Sequence, residues 1–139
     1  MTRVTRGSVL AVGLLILAMG GCGKAGEQTA RQVLRSIDQG KITGTKGTME
    51  TFSTALRSYS VDHGGYPKTS SMQEATAALV PAALVAPVGP DAWGNPFSYS
   101  SDGASFTLTA PGQDGVLGTP DDVIMVDGRF TQIPSPGGS

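Results

Sequence analysis

Hydrophobic and polar residues alternate along the second half of the chain in the way that is typical of a small antiparallel sheet. One run alternates at Phe97 and Tyr99, and after a short polar turn a second run alternates at Phe106 and Leu108. The two runs predict a β-hairpin. A third apolar run at residues 123–126, rich in β-branched side chains, predicts the last strand, so we expect about three strands.

Upstream of the strands, apolar residues recur at the three- and four-residue spacing of amphipathic helices. One such stretch covers residues 25–40, and a second begins at Thr48 and ends at His63, where Gly64 supplies a residue suited to a left-handed helix end. Three glycines between the stretches predict a frayed segment or a break, since each interior glycine costs a helix about 1 kcal/mol. A capping box at residues 71–74 predicts a further short helix.

A glycine-rich loop that carries three carboxylates joins the second and third predicted strands. Asp114, Asp121 and Asp122 lie in this loop, among three glycines. Carboxylates and backbone carbonyls are the hard oxygen ligands that Ca²⁺ prefers, and glycines let a loop fold tightly around an ion. The alternative is an acidic, solvated surface loop, and composition alone favours neither. An EF-hand is excluded, because its D-x-[DN]-x-[DN]-G pattern with a late Glu is absent.

The first residues have the order of an export signal. Two arginines precede an apolar run at residues 8–19, and two glycines separate that run from Cys22, the single cysteine. The run is short for a bilayer-spanning helix. The segment resembles a bacterial lipobox, which implies removal of residues 1–21 and attachment of lipid to Cys22. The alternative is a prepilin leader cut after Gly7, but Val12 stands where such leaders are followed by a Glu.

Three short motifs occur together in the second half of the chain. Residues 62–67 read DHGGYP, residues 91–97 read DAWGNPF and residues 112–122 read GQDGVLGTPDD. They resemble the D-N-G-x-Y-P motif, the D-P-W-G-N-P-Y signature and the calcium loop G-x-D-G-x-x-G-x-x-D-D of the type II secretion major pseudopilin (GspG) family. Ala92 and Phe97 replace the Pro and Tyr of the signature. The resemblance does not extend to the N-terminal part of the chain.

The resemblance implies a pilin-like α+β fold, in which an N-terminal helix packs on a small antiparallel sheet that carries a calcium-binding loop. It implies Ca²⁺ as cofactor, with Asp114, Asp121 and Asp122 as ligands, and a structural role in the type II secretion apparatus. The partners implied are other pseudopilin or secretion-apparatus subunits, with self-association as an option. With the lipid anchor at Cys22, we expect a periplasm-facing protein of the cell envelope, and Gly23 after the cysteine favours the outer membrane. The alternative function is a periplasm-facing lipoprotein that reuses the fold to bind a protein or ligand.

The predicted organisation divides the chain into four parts. We expect a signal peptide at 1–21, a lipid-anchored helical or linker segment at 22–47, a pseudopilin-like globular domain at 48–130 and a disordered tail at 131–139. A net charge of −1 supplies no basic footprint for nucleic acid, and a single cysteine excludes an internal disulfide. No nucleophile–base pair or phosphate-binding motif is recognisable, so we expect the protein not to be an enzyme.

Overall fold

The structure, a computed structural model, describes residues 22–137. These residues form two helices and one four-stranded antiparallel sheet. The helices are α1 (Cys22–His63) and α2 (Met72–Leu79). The strands are β1 (Ser98–Ser101), β2 (Phe106–Ala110), β3 (Val123–Val126) and β4 (Arg129–Gln132), adjacent in chain order. The predicted α+β arrangement is confirmed. The predicted signal peptide at residues 1–21 lies outside the described residues.

Helix α1 runs without interruption for 42 residues. The predicted frayed segment or break at Gly40, Gly44 and Gly47 is therefore wrong. A Cβ atom at any of these positions would meet nothing within 4 Å, so no contact among the described residues requires a glycine there. The opposite face of the same segment is anchored, because Ile42 and Thr45 are buried. This tertiary packing outweighs the low helix propensity of the glycines.

One line of buried side chains fixes α1 against the sheet. Met49, Phe52 and Leu56 are each fully buried, at the three- and four-residue spacing that the sequence predicts. The ring of Phe52 meets that of Tyr99 edge to face, with centroids 6.0 Å apart. The sheet contributes the buried side chains of Tyr99, Phe106, Leu108, Val123 and Met125 to the same cluster. The apolar face of the amphipathic stretch predicted from Thr48 to His63 is thus the face of α1 that packs on the sheet.

The sheet has four strands where about three were expected. The predicted hairpin is confirmed, with Tyr99 opposite Leu108, and β3 pairs with β2 on the other side. The additional strand β4 follows a two-residue turn at Asp127 and Gly128, whose φ angles are +50° and +80°. Positive φ at both central residues is typical of a type I′ hairpin turn, and Asp-Gly is a favoured sequence for it. Thr131 and Gln132, assigned to the tail from sequence, belong to β4.

Both predicted helix boundaries in the middle of the chain are confirmed. Gly64 has a φ of +76° and its N–H donates to the carbonyl of Ser60, which ends α1. The hydroxyl of Ser71 accepts from the backbone N–H of Glu74 and so caps α2. The box is not reciprocal, since the Glu74 carboxylate accepts from the Thr69 hydroxyl instead. This second bond ties α2 to the segment before it.

The side chains in the first part of α1, at residues 24–37, are all exposed. Val33, Leu34 and Ile37 are each at least half exposed, although they form one apolar stripe. Within residues 22–137, no helix contains an apolar stretch of sufficient length to cross a membrane.

Candidate metal-binding loop

The predicted metal site lies in the loop between β2 and β3, and Gly112 closes this loop at its base. Its φ is +69°, and a Cβ atom there would lie 2.2 Å from the backbone oxygen of Asp121. No side chain fits in that gap, and L residues other than glycine rarely adopt such a φ. Gly112 therefore lets the beginning and the end of the loop come into direct contact.

Two of the three predicted ligands converge on one hydroxyl group. The Thr119 Oγ1 atom donates to Asp121 Oδ1, and it also lies 3.3 Å from Asp122 Oδ1 and 3.1 Å from the carbonyl oxygen of Val116. A threonine hydroxyl carries a single hydrogen, which serves one acceptor well at a time. This group of four oxygens has more acceptors than protons. Hard oxygen donors in such excess fit a cation such as Ca²⁺.

The other carboxylate oxygens of the pair organise the loop backbone. Asp121 Oδ2 accepts from the N–H of Asp114 at 3.0 Å, and Asp122 Oδ2 accepts from the N–H of Gly118 at 2.7 Å. Asp122 is buried, with 1% of its surface exposed. No lysine or arginine among the described residues forms an ion pair with either carboxylate. Their negative charge is therefore offset by hydrogen bonds alone, which leaves an electrostatic role for a bound cation.

The protonation of Asp121 suits cation binding. Burial acts to raise the pKa of Asp121, but hydrogen bonds from the Thr119 hydroxyl and the Asp114 N–H outweigh burial and hold that pKa below the usual range. Asp121 is thus ionised at neutral pH. Its ionised form stabilises the folded loop above the ordinary pKa of Asp, and that contribution is lost as the pH falls through the lowered value.

Asp114, the third predicted ligand, is placed differently. Its carboxylate is exposed and accepts from the N–H of Val116 at 2.8 Å, so it forms a local turn. It is joined to Asp121 through its backbone N–H. Within residues 22–137, no group of three Asp, Glu, His or Cys side chains is close enough to hold a metal ion. The structure brings Asp121 and Asp122 together, without the carboxylate of Asp114.

The DAWGNPF motif supports the start of the loop. Asn95 donates its side-chain amide to the carbonyl of Gly112 at 2.7 Å. Asn95 is itself held by Asp91, whose Oδ1 accepts from the backbone N–H groups of Trp93 and Asn95. Asp91 is buried. The resemblance identified this motif, but its sequence alone did not show that its asparagine contacts the loop.

A contact from β4 supports the end of the loop, and sequence reasoning missed it. The side-chain amide of Gln132 donates to the carbonyls of Thr119 at 2.9 Å and Asp122 at 3.1 Å. The next residues, Ile133 and Pro134, line a groove of about 790 Å³ together with Asp121 and other residues of the loop. Since Gln132 was assigned to a disordered tail, no sequence signal connected it with the loop.

His63 and Trp93 make local contacts, and Cys22 lies at the start of the described residues. The His63 ring stacks on Tyr59, with centroids 3.9 Å apart, and its Nδ1 lies 3.0 Å from the Tyr59 carbonyl oxygen. Trp93 is half-buried beside the loop, with the Lys41 ammonium 5.9 Å from its ring centre. Cys22, the predicted lipidation site, is the first residue of α1, and its side chain lies outside the described part.

Comparison with known proteins gives a consistent picture. Residues 32–127 match the sequence profile of the family described as type II secretion system (T2SS), protein G. The type II secretion system core protein G of Pseudomonas aeruginosa is 32% identical over 106 residues, which cover 66% of this chain and 72% of the relative. No solved structure matches the chain. The matched segment includes the DAWGNPF motif and the whole acidic loop, and it ends before β4.

Proposed function

We infer that this chain belongs to the type II secretion system protein G family. We further propose that it is a calcium-stabilised and lipid-anchored pseudopilin. The family consists of structural subunits of the secretion apparatus and is not an enzyme family. As a pseudopilin, the chain assembles with other subunits of that apparatus in the cell envelope. The observation that carries the calcium part of the proposal is the convergence of Asp121 and Asp122 on Thr119.

Calcium would supply the positive charge that the paired carboxylates lack. Asp121 and Asp122 would hold it through their carboxylates, with the Thr119 hydroxyl and the Val116 carbonyl as neutral oxygen donors. The carboxylate of Asp114, in the same loop, remains a proposed ligand. Mg²⁺ is a poorer candidate, because it requires a tighter octahedral arrangement of ligands.

Removing calcium is expected to lower the melting temperature of the protein. An ion that binds only the folded state stabilises it by about 2.7 kcal/mol when its concentration is a hundred times its Kd. For a domain of this size, that free energy corresponds to a shift of about 10 °C. Differential scanning calorimetry of the protein from residue 23 onward, in millimolar Ca²⁺ and in chelator, measures the shift.

The matched variants for this experiment are Asp121→Asn and Asp102→Asn. Asp121→Asn should abolish the difference between calcium and chelator. Asp102→Asn should preserve it, because Asp102 accepts from Ala104 and Ser105 within the exposed β1–β2 turn, at the opposite end of β2 from the loop. Identical melting temperatures of the unmodified protein in calcium and in chelator would show that the loop is only an acidic surface.

The lipid anchor is supported by the position of Cys22 and by the shape of α1. The cysteine follows an apolar run and two glycines. Ile42, the first buried apolar side chain among those described in α1, lies twenty residues after Cys22, which is about 30 Å along the helix at a rise of 1.5 Å per residue. Such a spacer would separate the globular part from a membrane to which Cys22 is attached.

We expect Cys22→Ser to abolish labelling of the protein by radioactive palmitate in cells. The chain carries no other cysteine, so no second thiol can take the lipid. The same variant should also yield fewer chemical crosslinks to other secretion subunits, because it would no longer be held at the membrane. Ser8→Ala, at the position that the alternative prepilin cleavage would expose, should label normally.

A mature N-terminus at Ser8, determined by mass spectrometry, would exclude the anchor. For the unmodified protein, we expect the label in outer-membrane fractions.

A further inference from the structure

We propose that Gln132 is a positioning residue. Its side chain holds the Thr119–Asp122 turn of the acidic loop in the conformation that binds a cation. This inference rests on the proposed function, since it takes the loop to be the calcium site. It concerns a strand outside residues 32–127, the segment that matches the protein G family, and therefore adds a support to the loop that the family match does not include.

The geometry of the amide explains how one side chain can hold the whole turn. A glutamine amide nitrogen carries two hydrogens, and in Gln132 they serve two carbonyls at once, those of Thr119 and Asp122. The same two residues are linked by a backbone bond of 3.2 Å from the Asp122 N–H to the Thr119 carbonyl. Their side-chain oxygens belong to the convergent group described above. Gln132 therefore fixes, from the backbone side, the turn that presents these oxygens.

The pairing of β4 places Gln132 at the required position. Gln132 lies opposite Ile124, which is two residues beyond Asp122 in β3. Its side chain is half-buried, whereas the neighbouring Thr131 is exposed and makes only a long contact of 3.4 Å with the Ile124 carbonyl. Thr131 is the unpaired residue of a β-bulge in β4 and is exposed, which makes it a natural comparison for Gln132. The two residues differ in their contact with the loop but share a strand.

If Gln132 positions the loop, removing its amide should lower the calcium affinity. If its role is purely structural, removing the amide should lower the stability of the fold. When the amide is removed, the Thr119 carbonyl still accepts from the Asp122 N–H, so the bond to the Asp122 carbonyl is the one contact of the pair that leaves its acceptor without that donor. The global stability in the absence of calcium should therefore change little when the amide is removed. The calcium affinity should change more, because groups that orient metal ligands by hydrogen bonds commonly contribute 10- to 100-fold to metal affinity.

The test compares Gln132→Met and Thr131→Val in the full chain purified in detergent. Methionine has a similar length but no N–H donor. Calcium titration calorimetry should show Kd raised about 10-fold or more in Gln132→Met and unchanged in Thr131→Val. The melting temperature in chelator should be the same in all three proteins. Equal calcium affinity in Gln132→Met and the unmodified protein would overturn the proposal, as would a loss of affinity accompanied by an equally large loss of stability in chelator.

A second readout separates this inference from the proposed function. Hydrogen exchange of the Gly118 and Asp122 amides, measured in chelator, reports on the turn without calcium. Both amides bond within the loop, to the Asp122 carboxylate and the Thr119 carbonyl respectively. They should exchange faster in Gln132→Met than in Thr131→Val. If the unmodified protein binds no calcium, the proposed calcium site fails, whereas unchanged exchange in Gln132→Met means that the glutamine does not hold the turn.

Discussion

Phe52→Ala is expected to lower the free energy of unfolding by about 3–5 kcal/mol, a large part of the stability of a small domain. Phe52 is fully buried where α1 crosses the sheet, and its ring meets Tyr99 edge to face. Truncation removes this contact and leaves a cavity between the helix and the sheet that the surrounding fold fills only in part. Urea denaturation followed by circular dichroism measures the loss.

The control for this prediction is Val61→Ala on the same helix. Val61 is 83% exposed, so its truncation should change the free energy of unfolding by less than about 0.5 kcal/mol. Similar small losses in Phe52→Ala and Val61→Ala would show that α1 does not depend on the sheet for its stability. Such a result would contradict the packing described for the core.

Gly112→Ala is expected to open the acidic loop and to remove its response to calcium. An alanine at a φ of +69° is strained by about 1–3 kcal/mol, and its Cβ would also overlap the backbone oxygen of Asp121. That overlap is with backbone and cannot be relieved by a rotamer change. The base of the loop must therefore separate, which displaces Asp121 and its carboxylate from the Asp114 N–H that it accepts from. Calcium titration and urea denaturation of the variant measure the two effects.

Gly118→Ala in the same loop isolates the effect of the clash. Gly118 has a φ of +90°, so alanine is strained there too, but a Cβ would meet nothing within 4 Å. Gly118→Ala should lose some stability and keep much of its calcium affinity, whereas Gly112→Ala should lose both. Equal calcium affinities in the two variants would mean that contact between the ends of the loop is not needed for the site.

Local patterns predict the parts of this fold that local forces determine. Alternation around Tyr99 and Leu108 predicts the hairpin, because burial on one face selects every second residue. The cap at Ser71 predicts the start of α2 for a similar reason, since its bonds are made within one turn. The Asp127–Gly128 turn carries an equally local signal for β4, because Asp-Gly is a favoured sequence for a type I′ hairpin turn.

The remaining differences come from contacts that are distant in sequence. The continuity of α1 through Gly44 depends on packing of the opposite face, which helix propensity does not include. Asp121 and Asp122 are neighbours in sequence, and in the structure both carboxylates lie near the Thr119 hydroxyl. The orientation of Asp114 and the contact of Gln132 with the loop depend on the folded backbone. The supports of the loop could therefore not be derived from its own sequence.

The outer edge of β4 has a consequence for how copies of this chain can meet. An exposed strand edge is a template for adding a strand from another molecule, and proteins limit this hazard with short strands, charges and prolines. Strand β4 is four residues long, begins with Arg129 and is followed two residues later by Pro134, which has no N–H to donate. Continuous pairing with a foreign strand along this edge is disfavoured. This edge of the sheet is therefore a poor place for two copies of the chain to exchange strands or to begin aggregation.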